Sequence, residues 1–324
     1  MSAPRTPHVP VMLREVLAAL ALSDGDTIVD ATFGAGGYSS AILEGSGARV
    51  VAIDRDPAAR VHAAPLEARF GARFRLVNAV FSDMEAAVAP HGILAGGVAG
   101  VVLDIGVSSM QLDEAERGFS FMADGPLDMR MSLSGPSAAD VLAMASETEI
   151  ADILYHLGEE RRSRAIAREI VKVRAERPLA RTSDLAQLVI RALRTPKIDG
   201  RHAATRTFQA LRMHVNDELD ELRAGLSAAE RLLAPDGRLV VVTFHSLEDG
   251  LVKRFLQART GRTPRGSRHG PAVDTAGPEP SFRFLNHRAL SPTEAEVAGN
   301  PRSRSARLRQ AIRTPAPAWP DDQA

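Results

Sequence analysis

A strand, a glycine-rich turn and the start of a helix follow one another in residues 27–40, whose sequence is TIVDATFGAGGYSS. The β-branched run at 27–29 favours a strand, three glycines interrupt it, and residues 38–43 can begin a helix. Such a turn exposes backbone N–H groups at a helix N-terminus, where glycine lets a ligand approach closely. The next strand ends in Asp54, about twenty residues after Gly34, where nucleotide-binding folds place a ribose-binding carboxylate. The pattern therefore predicts a nucleotide-type cofactor site.

Two nucleotide cofactors fit this outline, and the remaining alternative is a tight turn with no ligand. The dinucleotide fingerprint needs a third glycine three residues after the second, and this chain has Ser39 there, which disfavours NAD. Asp30 ends the first strand and suits a ligand with an ammonium group, as in S-adenosylmethionine, because a carboxylate accepts charge-assisted hydrogen bonds. A glycine loop alone is a weak signal. Asp54 at this spacing makes the ligand-free turn the less favoured alternative.

Strands alternate with helices along much of the chain, which is typical of a parallel sheet covered by helices on both faces. Strand-like runs occur at 27–29, 48–54, 73–80, 98–104, 237–244, 282–286 and 306–312. The segment 113–211 has helical patterns without strand patterns, so we expect an inserted helical domain there. The predicted organisation is an α/β domain at 1–112 and 212–314, an all-helical domain at 113–211 and a disordered Pro-rich tail at 315–324.

Finer features are also predicted. One helix over 207–233 should return the chain to the sheet, and Ser246 should cap the helix after the strand at 237–244. The segment 259–281 has much Gly, Pro and Arg and reads as a mobile loop. Ser146 and Glu149 form a capping box at the start of a helix in the insert.

The chain of 324 residues has a formal net charge of +0, but its charges are segregated. Residues 155–212 hold 14 Lys/Arg against 6 Asp/Glu, and residues 250–314 hold 13 against 4. Basic stretches in a neutral protein suggest a polyanion docked on part of the surface, although single runs are more often solvated helix faces. No cysteine is present, which excludes thiolate zinc sites. The scattered histidines give a metal little support, and we expect a cytoplasmic protein without a membrane segment.

Several long motifs resemble the ribosomal RNA small subunit methyltransferase H family. They are HVPV at 8–11, DATFGAGG at 30–37, AIDRDP at 52–57, LDIGVSS at 103–109, ERGFSFM at 116–122, DGPLDMRM at 124–131, ATRTFQA at 204–210 and FHSLED at 244–249. The resemblance covers nearly the whole chain. It implies a Rossmann-like class I methyltransferase fold with an inserted helical domain for substrate recognition. We expect RNA access through this domain and the loop at 259–281, whose arginines can contact phosphates. It further implies methylation of N4 of a decoding-centre cytidine in 16S ribosomal RNA, with S-adenosylmethionine as cofactor and the small subunit as partner.

The resemblance also assigns site residues to this chain. The implied cofactor contacts are Gly36, Gly37, Tyr38, Asp54, Phe81, Asp104 and Gln111. The family commonly has His at the position of Tyr38, which is tolerable if the contact is made through the backbone N–H. Methylating an amine requires an acceptor for its proton, and we hypothesise that Asp104, or a backbone carbonyl of the loop after it, takes that role.

Other functions stay open at this point. The same fold could methylate a different RNA, or a non-catalytic module could bind RNA through the basic stretches. A nucleotide-dependent oxidoreductase would need the glycine that Ser39 replaces. A homodimer is compatible with the sequence but is not required by it.

Overall fold

A computed structural model describes residues 10–262 and 278–320. The chain forms two compact units, Met1–Gly106 with Leu219–Ala324, and Val107–Glu218. The predicted insert at 113–211 lies inside the second unit, whose bounds are slightly wider at both ends. We call the two parts the sheet unit and the inserted unit.

The described residues form nine strands and thirteen α-helices. The strands are β1 (Thr27–Asp30), β2 (Arg49–Asp54), β3 (Phe74–Asn78), β4 (Val98–Asp104), β5 (Lys197–Ile198), β6 (Arg201–His202), β7 (Leu233–Thr243), β8 (Phe282–Phe284) and β9 (Arg307–Arg313). The helices are α1 (Leu13–Leu20), α2 (Gly37–Gly45), α3 (Arg60–Phe70), α4 (Met84–Val88), α5 (Ser109–Asp113), α6 (Ala138–Met144), α7 (Glu147–His156), α8 (Ser163–Arg174), α9 (Thr182–Leu193), α10 (Thr205–Val215), α11 (Glu218–Leu232), α12 (Ser246–Arg259) and α13 (Glu294–Gly299).

The sheet unit is built on one seven-stranded sheet in the order β3-β2-β1-β4-β7-β9-β8. The first five strands in this order pair in parallel, and β9 joins β7 and β8 antiparallel. The strand order reverses between β1 and β4, which is the switch point where open α/β sheets bind ligands. This topology confirms the predicted Rossmann-like α/β fold.

Strand sequences are apolar on both sides because helices cover both faces of the sheet. Val101 and Leu103 enter one hydrophobic cluster with residues of α4, α11 and α12. Val102, which lies between them, enters a second cluster with residues of α1, α2 and α3. Alternate residues of a strand point to opposite faces, so burial on both sides fixes the register of the central strands and the position of their ends.

The inserted unit has its own core, formed mainly by α6 to α10. The predicted capping box at α7 is present, since Ser146 Oγ accepts from the Glu149 N–H at 3.2 Å. The unit is not entirely helical, because β5 and β6 form a short antiparallel hairpin. Its turn is Asp199–Gly200, both with positive φ, and Asp-Gly is a common sequence for such turns. The all-helical prediction is therefore wrong at these residues, and the Asp-Gly dipeptide is the local signal that indicates the hairpin.

Two predicted helical features differ from the structure. The helix expected over 207–233 is divided into α10 and α11, because Asp217 has a φ of 49°, outside the right-handed helical range. The Asn216 side chain beside this break bonds to the Met129 carbonyl at 2.7 Å and to the Met131 N–H at 2.8 Å. The N-cap of α12 is His245 rather than Ser246.

The segment after Pro315 is held by contacts that its composition did not reveal. Arg313 Nη1 donates to the Ala316 carbonyl at 2.7 Å, and the Trp319 indole N–H donates to the Glu279 carbonyl at 2.9 Å. Residues 315–320 therefore differ from the predicted disordered tail. Residues 321–324, and the part of the predicted loop at 263–277, lie outside the described residues. Within the ranges described, we find no helix with the length and apolarity needed to cross a bilayer.

Candidate cofactor site

Three carboxylates of the sheet unit end neighbouring parallel strands. Asp30, Asp54 and Asp104 are the last residues of β1, β2 and β4. Parallel pairing places Asp30 level with Ala52 and Val102, so the three strand ends meet at the switch point of the sheet. The predicted strand-end residues are therefore brought to one edge.

Asp54 fastens the glycine turn to the end of β2. Its Oδ2 accepts the Gly34 N–H at 2.7 Å, and its Oδ1 accepts the Asp56 N–H at 2.8 Å. Burial raises the pKa of Asp54, while these two N–H donors act against that rise. The residue is half-buried, and its two carboxylate oxygens have lone pairs left beyond these two donors to accept ribose hydroxyls.

The turn needs glycine for two reasons. Gly36 has φ +81°, and a Cβ there would lie 2.7 Å from atoms of the Phe33 ring. At Gly37, where α2 begins, a Cβ would lie 2.2 Å from Cγ of Pro10. The first N–H groups of a helix have no partner within the helix. The Gly36 N–H already donates to the Phe33 carbonyl at 2.8 Å. Backbone donors for a ligand would therefore come from Gly37 and Tyr38 at the start of α2, and contacts by Gly36 and Gly37 stay predictions.

A hydrogen-bond network joins the ends of β1 and β4. Asp30 Oδ2 accepts from the Ser39 hydroxyl at 2.6 Å, and Thr32 Oγ1 accepts the Asp104 N–H at 2.6 Å. Asp30 is 1% exposed, and burial raises its pKa to about 6. Its buried carboxylate therefore stabilises the glycine turn from the core side. Ser39, which stands where a dinucleotide fold has its third glycine, supplies the donor.

Asp104 carries the most perturbed carboxyl group of this edge. Its Oδ1 is inaccessible to solvent and finds no hydrogen-bond partner among the residues described. Burial, followed by the negative charges of Asp30 and Glu248, raises the pKa of Asp104 to about 8. A buried carboxyl group without donors favours its neutral form, so a cation placed beside it would stabilise the ionised form.

Glu248 is a buried acid that the sequence pattern predicts only as part of a helix cap. It is fully buried on α12, and its Oε2 accepts the Phe244 N–H at 2.9 Å. Its Oε1 lies 2.6 Å from Nε2 of His245. Histidine and glutamate thus cap α12 reciprocally at the end of β7, next to β4. The FHSLED motif contained both residues, but only tertiary packing brings Glu248 close enough to raise the pKa of Asp104.

The Tyr38 side chain points into the protein core. Its hydroxyl donates to the Val11 carbonyl at 2.5 Å, and the residue is 4% exposed. A cofactor contact by Tyr38 can therefore use only its backbone. The phenol instead ties the segment before α1 to the start of α2.

Phe81 is positioned by α11. A Cβ added to Gly225 would lie 2.4 Å from Cδ2 of the Phe81 ring, so the ring lies directly against the helix backbone. The next residue is also fixed, because the Ser82 N–H donates to Glu221 Oε1 at 2.8 Å. Phe81 follows β3 and is half-buried, which leaves part of the ring open to an apolar ligand surface.

Gln111 belongs to the inserted unit and is 6% exposed. Its side-chain oxygen accepts the Ser108 N–H at 3.0 Å, and the Ser108 hydroxyl accepts the Gln111 N–H at 3.3 Å. The side chain thus completes a capping box at α5, and its contact with a cofactor stays a prediction.

The strand-end residues fit a nucleoside cofactor that carries positive charge. Asp54 offers acceptors for hydroxyl groups, Phe81 offers an apolar wall, and the first residues of α2 offer backbone donors. Asp104 has a buried oxygen with no partner, and a sulfonium or ammonium group would stabilise its ionised form.

Comparison with known proteins agrees with this arrangement. The family model described as the MraW methylase family matches residues 5–314. The chain is 57% identical over 313 residues to a ribosomal RNA small subunit methyltransferase H of Caulobacter vibrioides, covering 97% of each protein. It is 56% identical over 317 residues to the protein of the same name from Rhodospirillum rubrum, covering 97% of this chain and 96% of that protein.

A solved structure of an rRNA methylase from Streptococcus thermophilus resembles the chain more distantly. It has 11% sequence identity and a TM-score of 0.41, covering 95% of this chain and 99% of that one. At this score, the structural similarity supports no inference about function.

Proposed function

This chain belongs to the MraW methylase family, and on that premise we propose that it methylates N4 of a decoding-centre cytidine in 16S ribosomal RNA. The relatives named ribosomal RNA small subunit methyltransferase H indicate the broader activity, methylation of small-subunit ribosomal RNA. The methyl donor is S-adenosylmethionine. The observation that carries the proposal is the convergence of Asp30, Asp54 and Asp104 at the switch point beside a glycine turn.

Each contact assigned to the cofactor has a physical role. Asp54 accepts the ribose hydroxyls, since its carboxylate keeps lone pairs beyond its two backbone donors. Phe81 packs against the adenine ring. Gly36, Gly37 and Tyr38 contribute backbone groups, and Gln111 is assigned to the cofactor by the family resemblance alone.

Asp104 is assigned to the reacting amine. S-adenosylmethionine supplies an electrophilic methyl group on a positively charged sulfur. The N4 lone pair of cytosine is delocalised into the ring, so the site must orient the amine in line and accept hydrogen bonds from it as charge develops on nitrogen. Asp104 in its ionised form accepts those hydrogen bonds and then the proton, and its raised pKa makes it a stronger base than an ordinary aspartate.

The activity is tested by incubating the protein with radiolabelled S-adenosylmethionine and small subunits from a strain that lacks it, followed by nucleoside analysis of the RNA. Label in N4-methylcytidine at the decoding centre is expected. Label in another nucleoside, or in none while the cofactor still binds, would show that the substrate has been assigned wrongly.

Replacing Asp104 tests its role. Asp104→Asn keeps the shape of the side chain but removes its basicity, so we expect turnover to fall by about 100-fold or more, with cofactor affinity reduced less. Single-turnover methylation and calorimetric titration with S-adenosylmethionine measure the two effects separately. Full turnover by this variant would shift the acceptor role to a backbone carbonyl of the loop after β4.

A further inference from the structure

Helix α8 of the inserted unit presents a row of three cations to solvent. Its exposed positions are Arg164, Arg168 and Lys172, and every other residue of the helix is buried or half-buried. Residues four apart lie above one another on a helix, and the rise of 1.5 Å per residue spaces them by about 6 Å. We call these three residues the basic face of α8.

The basic face has almost no partners in the protein. Arg164 and Lys172 make no hydrogen bond or ion pair with the rest of the described chain. Arg168 lies 4.0 Å from Glu147 with its side chain 74% exposed, a geometry that contributes little. Other arginines of the same segment are used internally. Arg162 Nη1 donates to the Leu193 carbonyl at 2.8 Å, and Arg174 Nη1 donates to the Leu142 carbonyl at 2.6 Å.

The helix packed beside it has the opposite charge. On α7 the exposed ionisable residues include Glu147, Glu149 and Asp152, and α7 packs against α8. A polyanion is attracted by one helix and repelled by the other. The pair therefore restricts where a polyanion can lie on this unit.

The positive surface continues beyond α8. Arg162 also donates to the Ala192 carbonyl at 3.2 Å, which brings the end of α9 to the start of α8. Arg191 and Arg194 are exposed at that end. A strand of nucleic acid could therefore meet cations over more than the length of α8.

We propose that the basic face of α8 binds the phosphate backbone of the ribosomal RNA substrate. The inference rests on the proposed function for the identity of the RNA. Regularly spaced cations on flexible stems suit a chain of phosphates, and the guanidinium group can bind phosphate through two donors. The exposed positions of α8 include no aromatic or aliphatic residue that could anchor a protein partner.

The test is the triple variant Arg164→Gln, Arg168→Gln, Lys172→Gln in the full chain. A plot of log affinity against log salt falls with a slope set by the number of phosphate contacts. Losing three contacts should make this slope shallower by about 2 to 3 and should weaken RNA binding by roughly tenfold or more. The probe is 16S ribosomal RNA in small subunits, titrated between low and physiological salt. The KM for subunits should rise, while kcat at saturating subunits and the affinity for S-adenosylmethionine stay at wild-type values.

The matched control removes charges from the neighbouring helix by Glu147→Gln with Asp152→Asn. Its RNA affinity should equal or exceed that of the wild type. An unchanged salt slope in the triple variant, or an equal loss in the control, would overturn the proposal. If the wild-type chain binds RNA but forms no N4-methylcytidine, the proposed function fails while the binding difference still tests the basic face.

Discussion

The strand-end site and the basic face of α8 differ in both the sign and the burial of their charged groups. At the site, Asp30 is 1% exposed and Asp104 has a buried oxygen, and the pKa of both is raised. On α8 the cations are exposed and nearly unpartnered. Buried charges cost free energy that a bound ion can recover, whereas exposed charges act over distance and are screened by salt. Although the chain is neutral overall, the acids of the sheet unit suit a cationic methyl donor, and the cations of the inserted unit suit a polyanion.

The largest effect that separates the two regions should come from Asp54→Ala. Losing the acceptor for ribose, together with the anchor of the Gly34 N–H, should weaken S-adenosylmethionine binding by about 100-fold, since hydrogen bonds to charged groups contribute about 1.5–3 kcal/mol each. Isothermal titration with cofactor measures this. Asp54→Asn keeps one oxygen acceptor and should lose less. RNA affinity should not change, and a parallel loss of RNA binding would mean that the regions are not independent.

A smaller and more local effect is expected from Gly225→Ala. The added methyl group would meet the Phe81 ring at 2.4 Å and displace the proposed adenine wall, so cofactor affinity should fall by roughly tenfold through lost apolar contact. Gly45→Ala is the control, because that glycine also lies in a helix and has open space around it. Equal cofactor affinities for the two variants would show that Phe81 does not contact the cofactor.

The pH dependence of stability provides the smallest but most specific test. The folded pKa of Asp104 is raised, so its contribution to the free energy of unfolding is fully present only below about pH 4 and is lost as the pH rises through about 8. The stabilising contribution of Asp30 is likewise lost as the pH rises through about 6. The ligand-free Asp104→Asn protein should therefore have a flatter melting profile and exceed the wild type in melting temperature above pH 8.

Asp124 of the inserted unit provides the control of opposite sign. Its hydrogen bond with Arg181 lowers its pKa to about 2, so its contribution is present at neutral pH and is lost only as the pH falls towards 2. Asp124→Asn should lower the melting temperature slightly at neutral pH and leave the slope between pH 4 and 8 unchanged. Parallel profiles for wild type and Asp104→Asn would show that Asp104 is not perturbed by burial.

Much of the fold could be predicted because its signals are local. Apolar strand runs, glycine breaks and strand-terminal acids are visible over a few residues, and β1, β2 and β4 lie where the sequence placed them. The Asp-Gly turn of the β5–β6 hairpin was equally local but was overlooked within a mostly helical pattern. The order of residues 315–320 has no local signal, because Trp319 bonds to Glu230 and Glu279, which are 89 and 40 residues away in the sequence.

The sequence by itself determined the alternation of strands and helices, the need for glycine at the turn and the family to which the chain belongs. Only the tertiary structure decided that Tyr38 points inward, that Ser39 bonds to Asp30, and that Glu248 lies close enough to raise the pKa of Asp104. Likewise, the cations of residues 155–212 divide into internal donors and an exposed row only after the helices pack. Secondary structure follows from neighbours in the chain, whereas side-chain environment depends on residues distant in sequence that folding brings into contact.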